Sequence, residues 1–483
     1  MAPPKRRRRG TAPAAAAKPR ARWASVVGAA VAAAVLVLLA TQYYDVFRLS
    51  FSNDDYLVLD KLQYTPFARL WLPRDLLSWY YRPWSREFHY WILTRAFGVT
   101  AAPFHAVALA LFAATMAGFF VLLRRHAGSA VAGLATCLVA TQAAWGALLV
   151  WPAGSQELWM MAAGMGFLLA VSARRHVIAA IALAIALLSK ETAATLPLVA
   201  AGYLAMVEGE PAAGALKRSL VYLPLVAAWA WVHPALGGGH ALADPTTHSP
   251  GLLVSIIRSM ANVDWLDLRP GAWHGVLRVA LPAAVALPAA ALAALRFGSR
   301  PGAERCGDAW RASGLLCWAA LAWAPLLAPG LHWRPYYTLW GSFGAFGAVA
   351  IALRRWPWLA ALLVCALALL RPARNASPQV DLGSEWYQRR AAVLTRRMHD
   401  DLVGREPALP RHSRVYFALL PANVGMVSGP GYSAPLRVWY ADTTLRGDVY
   451  SRYAPRTPGD TLGGDYFFVS DTLDTGHLTE VTR

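Results

Sequence analysis

The chain has 483 residues and a formal net charge of +19, with 57% hydrophobic and only 15% charged residues. Soluble domains carry about 25% charged residues, so this composition excludes an ordinary water-soluble enzyme. The positive charges stand in short clusters between apolar blocks, where they act as topology signals. This placement argues against a nucleic-acid partner.

The apolar blocks predict an all-α polytopic membrane protein. A hydrocarbon core of about 30 Å takes roughly 20 apolar residues as a helix, and backbone amides in lipid must be satisfied inside such a helix. Eleven blocks fit this description: residues 23–41, 104–123, 129–150, 156–172, 177–189, 192–207, 219–235, 273–295, 312–330, 336–353 and 357–371.

The distribution of Lys and Arg predicts which ends of these helices are cytoplasmic. A run of five basic residues, 5–9, precedes the first block, which indicates a cytoplasmic N-terminus and a retained first helix rather than a signal peptide. The stretch 177–207 fits either one long helix or a tight hairpin. The hairpin is favoured, because a single helix would place the basic cluster at 296–311 outside.

This topology divides the chain into three regions. Residues 1–22 form a basic cytoplasmic N-terminus, 23–371 form the membrane domain, and 372–483 form an extracytoplasmic C-terminal domain. The loops 42–103 and 236–272 also lie outside.

Local patterns add detail to the outer regions. In the loop 42–103, Phe67–Trp71 and residues 79–91 are amphipathic and suit helices at the membrane surface. The tail begins with a charged helical segment, 385–401, and continues with short strand-like runs at 415–420 and 466–469. These runs between Gly and Pro turns predict a small α/β domain.

The first candidate site follows the first helix, at Asn53-Asp54-Asp55-Tyr56. Two adjacent carboxylates repel each other, so one usually has a raised pKa or a cation nearby. Such a pair suits a general base whose neighbour positions an acceptor. The alternative is a solvated turn, since Asn and Asp favour turns.

The second candidate is the segment from Tyr80 to Glu87, with His89 two residues later. It contains Tyr81, Arg82 and Arg86. Arginines flanked by aromatic rings can grip a phosphate and stack on a sugar or lipid. The alternative is an interfacial anchor belt.

Two further polar segments interrupt apolar sequence. Ser189-Lys190-Glu191 stands at the proposed outer turn, where ionisable residues are costly unless functional or paired. Arg334-Pro335-Tyr336-Tyr337 begins a late span, and Arg334 can neutralise a phosphate at the membrane surface. An internal ion pair and an interfacial anchor are the respective alternatives.

Motifs for other chemistries are missing from the sequence. It contains no P-loop, GxSxG, HExxH or paired CxxC pattern, so no nucleotide, metal or other cofactor is predicted. Two carboxylates can bind a divalent ion, but no fixed ligand spacing supports one here.

Together these segments resemble the GT-C superfamily of membrane glycosyltransferases. The nearest branch is the protein O-mannosyltransferase-like one, with its bacterial relatives that include lipid A aminoarabinose transferases. The likeness rests on the acidic pair Asp54-Asp55, the segment Tyr81 to Ser85, the turn Ser189 to Thr192 and the segment Arg334 to Tyr337, in this order on the predicted outer face. It covers roughly residues 23–371.

The resemblance implies inverting transfer of a sugar from a polyprenyl-phosphate-linked donor to an acceptor on the outer side of a bacterial inner membrane. It gives Asp54 the role of base, with Asp55 beside it. Candidate ligands of the donor phosphate are Arg82, Arg86, Lys190 and Arg334. Candidate substrate contacts are Tyr56, Tyr81, Glu87, His89, Glu191, Tyr336 and Tyr337.

The sugar, the acceptor and the oligomeric state are left open by the sequence. A different class remains as the alternative function: a polytopic lipid or glycan transporter or flippase. Transporters typically show inverted repeats or broken helices with central charges, whereas here the polar segments gather on one face. A third possibility is a non-catalytic membrane scaffold, in which these residues would be buried in ion pairs.

Overall fold

The computed structural model describes most of the chain and is mostly helical with one small sheet. The described residues are 19–73, 80–234, 252–263, 303–327, 333–376, 383–420, 433–471 and 475–481. The basic run 5–9, the predicted span 273–295 and most of the loop 236–272 lie outside them.

The helices of the first half follow the apolar blocks of the sequence. In chain order, the α-helices are Pro19–Tyr43, Asp54–Tyr64, His89–Phe97, Ala102–Ala127, Ser129–Ala140, Trp145–Val150, Ser155–Ser172, His176–Leu187, Leu196–Gly202, Ala212–Leu220 and Leu223–Val232. Shorter helical turns include Phe67–Trp71, Trp84–Phe88, Glu191–Thr195 and Tyr203–Val207.

The second half adds Leu252–Met260, Ala303–Trp323, Leu339–Ala352 and Pro357–Ala376. The helices Ala303–Trp323 and Leu339–Ala352 pack closely because Gly344 brings its backbone against the carbonyl of Leu315, where any Cβ would collide. Small residues permit such close helix contacts in membrane proteins.

Two described helical segments are long and apolar enough to cross a bilayer by length and composition: Gly28–Arg48, which joins most of the first helix to the short turn Val46–Arg48, and Ala102–Ala127. Several other helices carry large apolar side chains on their outer faces, among them Ile181, Trp231, Leu362 and Leu369. A soluble protein rarely exposes this much apolar helix surface, whereas a bilayer covers it.

Within the described residues, a predicted span is interrupted. The block 129–150 is not a single helix, because the helix ends at Ala140 and a new one begins at Trp145. Backbone groups freed by the break need partners. Arg371 donates to the carbonyls of Ala140 and Gln142 at 2.9 and 2.6 Å, and Asn262 donates to that of Thr141 at 2.9 Å.

The hairpin predicted for 177–207 is confirmed by contacts at its two ends. The two ends of the helix Ser155–Ser172 give reference positions for this stretch. At its first turn, Glu157 pairs with Lys190 at 2.7 Å. At its last residue, Ser172 donates a hydrogen bond to Glu208. Because His176–Leu187 starts just after Ser172, the chain must run to Lys190 and return.

The tail forms a four-stranded sheet with helices against it. Its strands are Arg414–Ala418, Arg446–Val449, Asp465–Ser470 and Leu478–Glu480. The first strand lies between the second and third and is parallel to both, and the fourth is antiparallel to the third. The helices Glu385–Arg405, called the tail helix below, and Ser433–Tyr440 complete the domain.

One hydrophobic cluster holds the tail domain together, and a second connects it to the rest of the molecule. One packs the tail helix on the sheet through Met398, Leu402 and Phe417. The other joins the helix Asp54–Tyr64 to Ala434 of the helix Ser433–Tyr440. The tail therefore rests on the segment that carries the acidic pair.

Candidate active site

The acidic pair stands on a tight turn that opens the helix Asp54–Tyr64. The amide of Asp55 donates to the carbonyl of Ser52 at 3.1 Å. Asn53 occupies the second position of this turn with φ 51° and ψ −125°. These angles suit the first central residue of a type II′ turn, a position usually held by glycine.

Asp55 is fully buried and acts as an anchor. Its carboxylate accepts hydrogen bonds from the amide of Ser52 at 2.8 Å, the hydroxyl of Tyr90 at 2.5 Å and the amide of Ala153 at 2.9 Å. Burial raises the pKa of Asp55 to about 7, against the opposing effect of these hydrogen bonds. The three bonds tie the turn to two other elements.

Asp54 differs from Asp55 in its exposure to solvent and in its hydrogen bonds. Its side chain is accessible to solvent, yet protein lies around it on several sides, and we call this place beside Arg82 and Arg86 the recess. That surrounding protein raises the pKa of Asp54, whereas the positive charges of Arg86 and Arg82 lower it. Within the described part of the chain, no side chain or amide donates a hydrogen bond to the Asp54 carboxylate.

Arg82 and the hairpin turn form one wall of this recess. Arg82 donates through Nε and Nη2 to the two oxygens of Glu191, at 2.8 and 2.5 Å, and through Nη1 to Gln156 at 2.7 Å. Backbone contacts hold the same two segments together, since the amide of Trp84 donates to the carbonyl of Leu188 at 3.1 Å. The second and third predicted motifs are therefore adjacent.

Lys190 extends this wall toward the late motif. Its ammonium group pairs with Glu157 at 2.7 Å and lies 5.3 Å from the ring centre of Tyr337. Tyr337 packs against Tyr336, with ring centres 4.9 Å apart. Both tyrosines follow Arg334 on the short helix Pro335–Thr338.

Arg334 lies on the same side of the molecule as Asp54, as Tyr387 of the tail helix shows. Burial raises the pKa of Tyr387, the negative charge of Asp54 raises it further, and the positive charges of Arg390 and Arg334 lower it. One phenol thus responds to Asp54 and Arg334 together. Tyr387 is therefore near both the first and the fourth motif, which are about 280 residues apart in sequence.

Arg86 is held in a buried triad beside the recess. It donates to Glu87 at 2.6 and 2.9 Å and to the carbonyl of Tyr80 at 3.3 Å. Lys61 approaches the same Glu87 oxygen at 3.3 Å. Glu87 is thus a fixed counter-charge that holds two cations in place.

Other predicted substrate contacts lie behind the recess. Tyr56 is buried and accepts a hydrogen bond from Trp439 at 3.1 Å, and the hydroxyl of Tyr81 donates to a backbone carbonyl at 3.1 Å. His89 is buried among aromatic rings, and burial lowers its pKa to about 3, which keeps the imidazole neutral. The structure gives these residues packing contacts.

Some residues of the recess have no counterpart among the sequence predictions. Gln156 and Glu157 were assigned to a span, although a carboxylate in an apolar block is a usable signal. Asn53 belongs to the acidic motif but was given no role. Tyr387 comes from the tail, more than 300 residues away, and nothing in its local sequence points to the recess.

A metal centre is not evident in the part of the chain that the structure describes. There, no group of three or more His, Cys, Asp or Glu side chains converges. The four cations and Asp54 instead make a recess of mixed charge, which suits a substrate that carries a phosphate and a group to be deprotonated.

Comparisons with known proteins give matches at the level of solved structures. No protein-family model and no curated protein matches the chain. ArnT from Cupriavidus metallidurans in the apo state is 13% identical, with 86% of each chain covered and a TM-score of 0.47. The same protein bound to undecaprenyl phosphate is 13% identical, with 88% of this chain and 86% of that chain covered and a TM-score of 0.44.

An oligosaccharyltransferase from Archaeoglobus fulgidus, in complex with Zn and sulfate, is also similar. It is 15% identical, with 87% of this chain and 62% of that chain covered and a TM-score of 0.44. ArnT and this oligosaccharyltransferase are both GT-C glycosyltransferases, the superfamily that the sequence motifs resemble. With identities this low and TM-scores below 0.5, the function of this chain has to be argued from its own residues.

Proposed function

We propose that this chain is a membrane glycosyltransferase of the GT-C type. It moves a sugar from a polyprenyl-phosphate-linked donor to an acceptor on the outer face of the bacterial inner membrane. One observation carries the proposal. Asp54 is an accessible carboxylate that accepts no hydrogen bond from the described residues, and the positive charges of Arg82 and Arg86 act on it.

The chemistry of such a donor matches this arrangement. The bond that breaks joins the sugar C1 to a phosphate oxygen, and the electron pair leaves with the phosphate. Cations stabilise that leaving group, and no general acid is needed. The acceptor supplies the new bond to C1 from the opposite face, so the configuration inverts, and its proton passes to Asp54.

In this proposal the four cations have different roles at the donor phosphate. Arg82, Arg86 and Lys190 are each paired with a glutamate and are therefore rigidly held. Arg82 uses three of its N–H groups in these contacts, and a guanidinium has five in all. Arg334 is half-buried at the start of a helical turn. In this proposal it is the main phosphate ligand, with Arg82 and Lys190 beside it.

The aromatic residues next to the cations suit the rest of the donor. Tyr336 and Tyr337 follow Arg334 and offer ring faces on which a sugar or an isoprenoid unit can pack. Glu191 fixes Arg82 and would act through that arginine. The ArnT structure with undecaprenyl phosphate contains a lipid of the class proposed here, although the proposal stands on this chain's own residues.

A reconstituted assay tests the proposal. The full chain in proteoliposomes receives polyprenyl-phosphate donors that carry different radiolabelled sugars, with membrane extracts as acceptors. We expect label to appear in the acceptor fraction, with release of polyprenyl phosphate, and this transfer to be absent in Asp54→Asn. Transport of the labelled lipid across the bilayer without any transfer would contradict the proposal and support a flippase.

A further inference from the structure

The tail helix Glu385–Arg405 lies along the segment that leads into the acidic turn. At its start, Glu385 accepts a hydrogen bond from Gln42 at 2.8 Å. One turn later, Arg389 pairs with Asp45 at 2.9 Å, and farther along Ser50 donates to the carbonyl of Ala392 at 2.6 Å. The contacts continue up to the residue before Asp54.

The last of these contacts involves Asn53, whose side chain is held at both ends. The amide nitrogen of Asn53 donates to Oε1 of Gln388 at 3.0 Å, and its amide oxygen accepts from the hydroxyl of Tyr387 at 3.3 Å. All three side chains are buried. Both of these hydrogen bonds of the Asn53 amide are thus with the tail helix, and neither is with a described residue of its own loop.

The backbone conformation at Asn53 explains why these two hydrogen bonds, called the clamp on Asn53 below, are important for the turn. With φ 51° and ψ −125°, Asn53 adopts a conformation that glycine takes without steric cost and that other residues rarely adopt. The two hydrogen bonds to the tail helix stabilise this turn. Asp54 is the next residue, so the direction of its carboxylate follows from the peptide that the turn fixes.

Tyr387 also lies within electrostatic reach of the recess, because the charges of Asp54 and Arg334 both act on its phenol. A side chain in this position can transmit a shift of the tail helix to the acidic turn over a very short path.

From this geometry we propose that Tyr387 and Gln388 are positioning residues of the transferase, which act through Asn53 to aim the carboxylate of Asp54. This inference rests on the proposed function. It makes the C-terminal domain a working part of the active site rather than an appended module. Misplacement of a catalytic group by about 1 Å can cost up to about 100-fold in rate.

Three substitutions test the inference, and a fourth serves as the matched control. Tyr387→Phe removes the hydroxyl that binds Asn53, and Gln388→Leu removes the acceptor. Asn53→Gly keeps the turn conformation but loses both bonds. Ser50→Ala removes one hydrogen bond between the same loop and the same helix without touching Asn53.

We expect kcat to fall by about tenfold or more in the three test variants. The KM for the polyprenyl-phosphate sugar should change less than about threefold, because the phosphate ligands stay in place. Ser50→Ala should keep its kcat within about twofold. The double variant Asn53→Gly with Tyr387→Phe should be no slower than Asn53→Gly alone, since both remove the same link.

A second measurement distinguishes a change in the direction of the Asp54 carboxylate from a general loss of folding. The acid limb of the kcat profile reports the ionisation of Asp54, whose charge interacts with Arg82, Arg86, Asp55, Tyr90 and Tyr387. This limb should therefore move in the test variants and stay unchanged in Ser50→Ala. Melting temperatures of all purified variants within a few degrees of the parent would support the inference. Wild-type kcat in all three test variants, alongside an inactive Asp54→Asn, would overturn it while leaving the proposed function intact. An active Asp54→Asn would instead overturn the proposed function.

Discussion

Two polar clusters stand at opposite ends of the helix Ser155–Ser172, and they use similar residues differently. At one end, Glu208 accepts from Ser172 and lies 3.8 Å from His126, while Arg218 pairs with Glu210 at 2.8 Å. At the other end is the recess around Asp54. We call the first group the Glu208 cluster.

The difference lies in what the carboxylates do. Glu208 bridges neighbouring helix ends and has contacts on both of its oxygens. In the recess, Glu87, Glu157 and Glu191 each pair with a cation, but no described residue donates a hydrogen bond to the Asp54 carboxylate. The cluster around Asp54 therefore differs from the Glu208 cluster in leaving one carboxylate available while its neighbours are held.

The largest expected effect is a loss of sugar transfer on substitution of Asp54, and it distinguishes Asp54 from Glu208. Asp54→Asn keeps the shape of the side chain but removes the base, so kcat should fall by about 100-fold to 10,000-fold. Glu208→Gln, at the opposite end of the same helix, should keep kcat within about twofold. The measurement is label transfer in proteoliposomes at matched protein levels, and equal losses in both variants would abolish the distinction.

A second prediction concerns Asp55 and the pH dependence of stability. Its folded-state pKa of about 7 lies above the 3.8 of an ordinary Asp, so the folded chain binds this proton more tightly than the unfolded chain. The stabilisation is fully present below about pH 4 and is lost as the pH rises to about 7. It corresponds to about 4 kcal/mol, at about 1.4 kcal/mol for each tenfold change in proton affinity.

The test is a comparison of melting temperatures for the wild-type chain and Asp55→Asn in detergent. Asn cannot ionise, so the stability of the variant relative to the wild type should improve between pH 4.5 and pH 7.5. A constant difference across this range would show that Asp55 titrates normally. Glu208→Gln serves again as the control, since its effect belongs to the other cluster.

A third prediction sharpens the role of the recess cations. Arg334→Ala removes the proposed main phosphate ligand, and a hydrogen bond to a charged group is worth about 1.5–3 kcal/mol. The KM for the donor should therefore rise about 10-fold to 100-fold, and Arg334→Lys should recover part of the loss because it restores charge without the planar fork. Arg48→Ala, an exposed arginine after the first helix, is the matched control.

The smallest effect on sugar transfer is expected in the Glu208 cluster itself. Arg218→Ala removes ion pairs to Glu208 and Glu210. The three side chains are only 10–18% exposed, so removal of Arg218 should cost about 1–3 kcal/mol of stability and lower the melting temperature, whereas the transfer rate of the folded protein should not change. A strong loss of transfer in Arg218→Ala would mean that this end of the helix also takes part in function.

Much of the fold was predictable because apolar blocks and charge clusters report directly on it. The helix Ser155–Ser172 was expected at 156–172, the tail helix at 385–401, and the strand Asp465–Ser470 around 466–469. The helix break after Ala140 was not predicted, since its partners Asn262 and Arg371 are more than 100 residues away. Hydropathy reports how apolar a segment is. It does not show which distant side chains bond to the backbone groups that a helix break leaves free.

The sequence predicted the segments that form the candidate site but not the contacts between their side chains. The second, third and fourth motifs contact one another in sequence order, but the sequence alone predicts that Asp54 and Asp55 act as a pair. Adjacent positions on a helix do not face each other, so Asp55 points inward to Tyr90 and Ala153 while Asp54 stays in the recess. The clamp on Asn53 depends on the tail folding back, a long-range contact without a local signal.

The most direct test of the account is a structure of the full chain in lipid nanodiscs with a polyprenyl phosphate. We expect density for the phosphate within hydrogen-bond distance of the Arg334 guanidinium, with the Asp54 carboxylate facing the space where a sugar would extend. Phosphate bound at the Glu208 end of the helix, with the Asp54 recess ordered and empty of lipid at saturation, would contradict the account.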